Sequence, residues 1–115
     1  MRTKNQNLPI YYFKKDIYRK HRGGKAKLLD VHCANCNKLI LIYQKDGPGP
    51  LKRCYVDRVF YSKTTKRDGK LICSNCGAII GTPMVYKKHG ENRRAYKMKV
   101  GKFKISKSIN AIGKD

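Results

Sequence analysis

Four cysteines are the residues of this chain whose types and spacing are best suited to chemistry. They form two Cys-x-x-Cys pairs, at residues 33–36 and 73–76, which we call the first and the second CxxC turn. Two such pairs can supply four thiolates to one tetrahedral ion and so close the loop between them. Four sulfur ligands leave no open coordination position, which makes such a site structural rather than catalytic. The sequence therefore predicts one structural Zn²⁺ held by Cys33, Cys36, Cys73 and Cys76.

Other uses of paired cysteines fit this chain less well. An iron site of the rubredoxin kind uses similar turns, but an electron carrier has no need of so high a charge. Thioredoxin-like redox chemistry expects one CxxC at the start of a helix in a βαβ unit, and the sequence lacks that setting. Residues 1–7 are polar and no apolar stretch of a secretory signal follows them. We therefore expect a reducing compartment, in which paired cysteines bind metal more often than they form disulfides.

The remaining thiol and the histidines lie in no motif for catalysis. Cys54 falls within a β-prone run, and we expect it to pack as a small apolar residue. His32 lies beside Cys33 but outside the CxxC spacing, so we do not expect it to be a ligand. Neither His21 nor His89 is accompanied by a carboxylate or nucleophile in a known motif. The sequence thus predicts neither an enzyme nor a small-molecule substrate, and an RNA-processing or redox enzyme with an unrecognised site is the alternative.

Net charge is the strongest compositional feature. The 115 residues include 28 Lys and Arg against 7 Asp and Glu, a formal net charge of +21. A protein so charged repels itself, so we expect an anionic partner and no homo-oligomer. The phosphate backbone of a nucleic acid is the first candidate, because each neutralised phosphate also releases counterions. A membrane is a weaker candidate, because no apolar run reaches spanning length and no amphipathic helix with a bulky apolar face occurs.

Short β-prone runs stand on both sides of the first CxxC turn. Residues 28–32 lead into the turn, and 39–43 follow it as an apolar strand expected to be covered on both faces. Two prolines and two glycines at 46–50 exclude helix and interior strand. The β-prone run 51–61 then predicts an antiparallel hairpin with 39–45.

The second CxxC turn is followed by a similar pattern. Gly77 suits a tight turn that needs positive φ. Residues 78–86 are expected to form a strand bent near Gly81 and Pro83. Residues 68–69 and 89–92 have the composition of turns. No internal repeat beyond the two CxxC turns is visible in the sequence.

The end of the chain shows the clearest alternation of apolar and cationic residues. It runs over residues 96–100, shifts by one position at Gly101 and continues to residue 105. A shift by one residue at a glycine is typical of a β-bulge. We therefore predict one amphipathic strand with a bulge at Gly101.

The chain is expected to form one small domain with a basic extension at each end. Hydrophobic residues make up 40% of the 115, which predicts a small hydrophobic core. A chain with so small a core is a candidate for stabilisation by a structural metal ion. We predict a basic extended N-terminal arm at 1–27, a zinc-ribbon β domain at 28–105 and a C-terminal tail at 106–115. The arm is either disordered in the free protein or ordered by threading into RNA, and these two states are compatible.

Basic residues are expected to position the protein on phosphates, mostly without reading bases. The residues singled out for RNA binding are Arg19, Lys20, Arg22, Lys25 and Lys27 before the first CxxC turn, Lys52 and Arg53 after the proline-rich loop, and Arg93, Arg94, Lys97 and Lys99 on the last hairpin.

The two CxxC turns, the glycine after the second, and the large Lys and Arg excess at both ends resemble the small zinc-ribbon ribosomal proteins of archaea and eukaryotes. The resemblance implies a small all-β zinc ribbon, with an antiparallel sheet, two CxxC knuckles and extended basic N- and C-terminal segments. It also implies a structural protein of the cytoplasm that is bound to ribosomal RNA and neighbouring ribosomal proteins. A free-standing zinc ribbon that acts on DNA or in transcription is the alternative.

Overall fold

The protein is built from antiparallel β-strands. The computed structural model describes residues 11–14, 16 and 25–108. Within these residues the only helical element is a 3₁₀ turn, Val56–Arg58, so the prediction of an all-β fold is confirmed. None of them belongs to a helix with the length and apolar character that a membrane span requires. The strands are β1 Ala26–Cys33, β2 Leu39–Asp46, β3 Arg53–Tyr55, β4 Val59–Ser62, β5 Thr64–Arg67, β6 Lys70–Cys73, β7 Ile79–Tyr86, β8 Arg93–Met98 and β9 Phe103–Lys107.

These strands form two sheets, which enclose the main core. The first sheet has the strand order β4-β2-β1-β9 and the second has the order β3-β8-β7-β6-β5. Val31 and Ile40 of the first sheet pack in one cluster with Leu71 and Ile80 of the second. Residues 40–44 of β2 are all buried, which confirms the prediction of a strand covered on both faces.

A buried hydroxyl also joins the sheets. Tyr43 of β2 accepts a hydrogen bond from the Tyr55 backbone N–H at 2.8 Å, and it donates to the Arg53 carbonyl at 3.4 Å. Burial raises the pKa of Tyr43 well above its ordinary value, so the phenol stays protonated and can donate.

Each CxxC turn lies at the end of a β-hairpin, and the two hairpins are equivalent. The register of β1 on β2 shifts between Val31 and His32. The register of β6 on β7 shifts between Leu71 and Ile72, forty residues further along the chain. The repeat therefore extends beyond the CxxC turns themselves. We call residues 26–67 the first repeat and 70–107 the second repeat.

Each repeat ends in a segment that crosses to the other sheet. After β4 has paired with β2, the Lys63 N–H donates to the Ile40 carbonyl at 2.8 Å, and β5 then pairs with β6. After β8 has paired with β7, the Lys99 N–H donates to the Ile80 carbonyl at 2.8 Å, and β9 then pairs with β1. Each sheet thus has an edge strand that comes from the other repeat.

The predicted pairing of 39–45 with the whole of 51–61 is wrong. Only the last residues of 51–61, which belong to β4, pair with β2, whereas β3 pairs with β8 in the second sheet. The 3₁₀ turn Val56–Arg58 separates β3 from β4 and redirects the chain from one sheet to the other.

The predicted bulged strand through Gly101 is also wrong. β8 ends at Met98 and β9 begins at Phe103, in different sheets. A β-turn joins them, in which the Lys102 N–H donates to the Lys99 carbonyl at 3.1 Å. Gly101 has φ 86°, as the third residue of a type II turn requires. The shift in alternation therefore marks a turn between sheets.

The other predicted turns occur as hairpin turns. Asp68 and Gly69 have φ 53° and 76°, and they join β5 to β6. His89 and Gly90 have φ 57° and 75° in the connection from β7 to β8. Two successive residues with positive φ match the twist of paired strands.

Part of the predicted N-terminal arm contacts the first sheet. The Tyr11 ring stacks on Phe60, with ring centroids 5.4 Å apart. The Lys14 backbone N–H donates to Gln44 Oε1 at 2.7 Å, and Gln44 Nε2 donates to the Lys14 carbonyl at 3.0 Å. A buried side-chain amide thus pairs with this segment much as a strand would.

Candidate metal centre

The four cysteine sulfurs of the two CxxC turns come together at one end of the molecule. All four Sγ atoms lie within 4.8 Å of one another. The Cys33 and Cys76 sulfurs are 3.6 Å apart, and the Cys36 and Cys73 sulfurs are 3.7 Å apart. Thiolates at about 2.3 Å from a tetrahedral ion lie about 3.8 Å from one another. The group therefore has the ligand count and the spacing of a single metal site.

Backbone hydrogen bonds shape the first CxxC turn. The Cys33 N–H donates to the Lys38 carbonyl at 2.9 Å, and the Asn37 N–H donates to the Cys33 carbonyl at 2.8 Å. Asn37 has φ 66°, a conformation that asparagine tolerates better than most residues. Sequence reasoning missed this role for Asn37.

The second CxxC turn has the same hydrogen bonds. The Cys73 N–H donates to the Ala78 carbonyl at 2.9 Å, and the Gly77 N–H donates to the Cys73 carbonyl at 2.9 Å. Gly77 has φ 82°, so the prediction that this position needs positive φ is confirmed. The two turns thus present their sulfurs in the same way.

An asparagine of each turn stabilises a thiolate of the other turn. The Asn35 side chain hydrogen-bonds to Cys76, and this is the largest cause that lowers the pKa of Cys76 to about 6. The pKa of Cys36 is lowered first by the backbone N–H of Lys38 and next by the Asn75 side chain. The second cysteine of each pair, Cys36 or Cys76, is therefore stabilised as a thiolate, the form that binds metal.

The first cysteine of each pair faces inward. Cys33 is 0% exposed and Cys73 is 1% exposed, whereas Cys76 lies at the surface. Burial raises the pKa of Cys73 to about 11 in the metal-free chain. A bound dication would reverse this effect, because it replaces the proton on sulfur.

The residues that the sequence did not predict to be ligands lie outside the metal centre. Cys54 is 0% exposed in the main core, and burial raises its pKa to about 12. This confirms its expected packing as a small apolar residue. Among the described residues, His32 is not part of the ligand group.

Most of the predicted RNA-binding residues in the described part of the chain lie at the surface. The Arg53 guanidinium is half-buried and lies over the Tyr86 ring, 4.8 Å from its centroid. Arg19, Lys20 and Arg22 fall outside the described residues. The exposed members are Lys25, Lys27, Lys52, Arg94, Lys97 and Lys99.

Arg93 requires a correction. Only 4% of this residue is exposed, and its guanidinium lies 3.8 Å from the centroid of the Tyr55 ring. Nη2 donates to the Asp57 carboxylate at 2.8 Å, and Nη1 donates to Glu91 at 3.3 Å. Arg93 therefore stabilises the fold and is not presented to a partner.

Arg58 is a second buried arginine, which sequence reasoning missed. Its side chain is 1% exposed, and its Nε donates to Asp46 at 2.8 Å. Its two terminal nitrogens donate to the Asp16 carboxylate at 3.0 and 2.6 Å. Burial acts to lower the pKa of Arg58, but the two carboxylates outweigh it and raise the pKa. Arg58 thus stays ionised and binds the N-terminal segment to the first sheet.

These two arginines engage most of the acids of the chain. The acids that pair with them are Asp16, Asp46, Asp57 and Glu91. Asp68 is the one acid of the described residues that is exposed as a whole residue, and the side chains of Asp16 and Asp57 are 38% and 37% exposed. Sixteen basic side chains are exposed there, namely Lys14, Lys25, Lys27, Lys38, Lys52, Lys63, Lys66, Arg67, Lys87, Lys88, Arg94, Lys97, Lys99, Lys102, Lys104 and Lys107. The surface is therefore more uniformly positive than the composition alone implies.

Comparison with known proteins does not assign the chain. No family model matches it, and neither a curated protein nor a solved structure does.

Proposed function

We propose that this chain is a zinc-ribbon protein that binds ribosomal RNA as a structural component of the ribosome. The observation that supports RNA binding is the surface charge, because sixteen basic residues in the described part of the chain are exposed, whereas four of its acids pair with buried arginines. Such a surface gains most from a polyphosphate, because every neutralised phosphate releases a counterion. A partner of mixed charge would gain far less from it.

Zinc is the proposed occupant of the metal centre. Four cysteine sulfurs at tetrahedral spacing are the donor set of structural zinc sites. The ion would join the two CxxC turns and stabilise the fold, by on the order of 10 kcal/mol in comparable small domains. Elemental analysis of the native protein should give one zinc per chain, and one iron in its place would overturn the assignment.

The ribosome is proposed on the resemblance of the two CxxC turns and the basic ends to small ribosomal zinc ribbons. Ribosomal RNA and neighbouring ribosomal proteins would be the partners, and the cytoplasm the location. No part of this role requires turnover of a substrate.

Sedimentation tests the proposal directly. A cell lysate is run on a sucrose gradient at moderate salt, and this chain is detected across the fractions. We expect it to sediment with one ribosomal subunit and to move to the top of the gradient after ribonuclease treatment. A chain that stays at the top without ribonuclease would overturn the ribosomal role. Sedimentation with chromatin, removed by deoxyribonuclease, would favour a DNA-binding zinc ribbon instead.

A further inference from the structure

The β-turn at residues 99–102 lies beside the first CxxC turn and exposes an apolar side chain. Val100, its second residue, is 97% exposed, the highest value among the large hydrophobic residues described. The turn is held at both ends, because the Lys99 N–H donates to the Ile80 carbonyl and the Ala34 N–H donates to the Lys102 carbonyl at 3.1 Å. These bonds fix it to both hairpins. Val100 is therefore presented on a rigid support, which lowers the entropy lost on binding.

A surface concavity lies beside this turn. Its lining residues are Thr82, Lys97, Met98, Lys99, Val100 and Lys102. Thr82 and Lys97 face each other across β7 and β8, so their side chains project from the same face of the sheet. Three ammonium groups and a hydroxyl are available as hydrogen-bond donors, and the lining contains no carboxylate. This is the chemistry that recognises a phosphate group.

Further lysines reinforce the positive potential at this end. Lys38 and Lys63 are exposed next to the CxxC turns, and the Lys104 ammonium donates to the Asn37 side chain. Four thiolates around one Zn²⁺ would carry a formal charge of about −2, which these lysines outnumber. Of the two acids in this hairpin, Asp46 lies at the far end of β2, about 23 Å along the strand, and Asp30 is a partly buried residue of β1, about 10 Å from Cys33.

We infer that this concavity binds a phosphate of single-stranded RNA, with Lys97, Lys102 and Thr82 on the phosphate oxygens and Val100 against the adjacent ribose or base. The inference rests on the proposed RNA-binding function and adds Thr82, Val100 and Lys102 to the residues that contact RNA. Single-stranded RNA is favoured over duplex because unpaired bases offer their faces to an apolar side chain. A membrane is disfavoured because one valine buries too little apolar surface to serve as an anchor.

Salt titrations with matched variants test the phosphate contact. The zinc-loaded full-length protein is titrated into fluorescent 20-nucleotide polyuridylate, followed by anisotropy at several KCl concentrations. The double variant Lys97→Gln/Lys102→Gln loses two phosphate contacts, so its salt slope should be shallower by about 1.4 and its affinity at 0.1 M salt roughly 25-fold lower. The control Lys87→Gln/Lys88→Gln removes equal charge from exposed positions after β7. It should weaken binding by less than about 3-fold.

A second variant tests the valine contact. Val100→Ser removes no charge and no packing within the protein, since the residue is exposed. It should weaken binding to polyuridylate by about 5-fold and leave the salt slope and the binding to duplex RNA unchanged.

The outcomes separate this inference from the proposed function. If wild-type protein fails to bind either RNA at 0.1 M salt, the proposed function is overturned and the inference with it. If RNA binds but both double variants weaken it equally, or Val100→Ser has no effect, the inference alone is overturned. If the variants lose binding to phosphatidylserine vesicles while RNA binding is unchanged, the inference is overturned and a membrane surface is the ligand of this concavity.

Discussion

The contact between Asp16 and Arg58 gives a quantitative prediction of stability. Asp16→Asn removes one charge and one acceptor from a carboxylate that binds both terminal nitrogens of a guanidinium that is 1% exposed. A hydrogen bond to a charged group contributes about 1.5–3 kcal/mol. The Asp16 side chain is 38% exposed and Arg58 keeps Asp46, so we expect the lower part of this range, about 1.5–2 kcal/mol. For a domain of this size that corresponds to a melting temperature lower by roughly 5–10 °C.

The matched control is Asp68→Asn. Asp68 is exposed and has φ 53°, a conformation in which asparagine is well accommodated. The Asp68→Asn substitution removes the same charge from the same strongly positive chain. We expect it to change the free energy of unfolding by no more than about 0.5 kcal/mol. Urea denaturation of both zinc-loaded variants measures the difference in the free energy of unfolding. It should persist at 0.5 M NaCl, because buried pairs are screened little. Equal midpoints for the two variants would refute the stabilising role of the Asp16–Arg58 contact.

Three further predictions concern the cysteines. Cys73→Ser should release zinc and lower the temperature of the cooperative thermal transition seen by circular dichroism, because three ligands hold the ion less tightly; an unchanged melting curve would contradict the site. In metal-free protein at pH 7, iodoacetamide should modify Cys76 first, as peptide mass spectrometry would show, because its pKa is about 6 while that of Cys73 is about 11. The rate at Cys76 should fall as the pH drops through about 6, where its thiolate gains a proton, and equal rates at both cysteines would contradict the geometry of the turns. Cys54→Ser should cost about 1–3 kcal/mol by burying a hydroxyl, yet retain one zinc per chain by elemental analysis.

The cysteine cluster could be predicted from the sequence because the spacing within each CxxC pair involves only neighbouring residues. Each CxxC pair fixes its own turn, and thiolate sulfur is a preferred ligand of Zn²⁺, so position and chemistry agree. The all-β class followed in the same way from short β-prone runs between turn residues such as those at 68–69 and 89–92. Even so, Asn37 shows that a non-glycine residue can fill a positive-φ position that sequence reasoning assigned only to Gly77.

The distribution of strands between the sheets could not be predicted from the sequence, since it depends on contacts between distant segments. Gly101 illustrates this, because one glycine can produce either a bulge or a turn, and pairing of residues 103–107 with β1 selects the turn. Arg58 illustrates it again, because its partner Asp16 lies 42 residues away. The composition counts these residues as opposite charges but does not show that they neutralise each other inside the fold.

The exchange of edge strands between the repeats has a consequence for unfolding. Because β5 belongs to the first repeat and pairs in the second sheet, and β9 does the reverse, neither repeat can unfold while the other keeps a complete sheet. We therefore expect a single cooperative transition, with equal calorimetric and van't Hoff enthalpies. Amide protons in the two hairpins should exchange with solvent through the same global opening and show similar protection. A metal bound by one cysteine pair of each repeat would add a second link between them, at the end of the strands where the chain crosses from one sheet to the other.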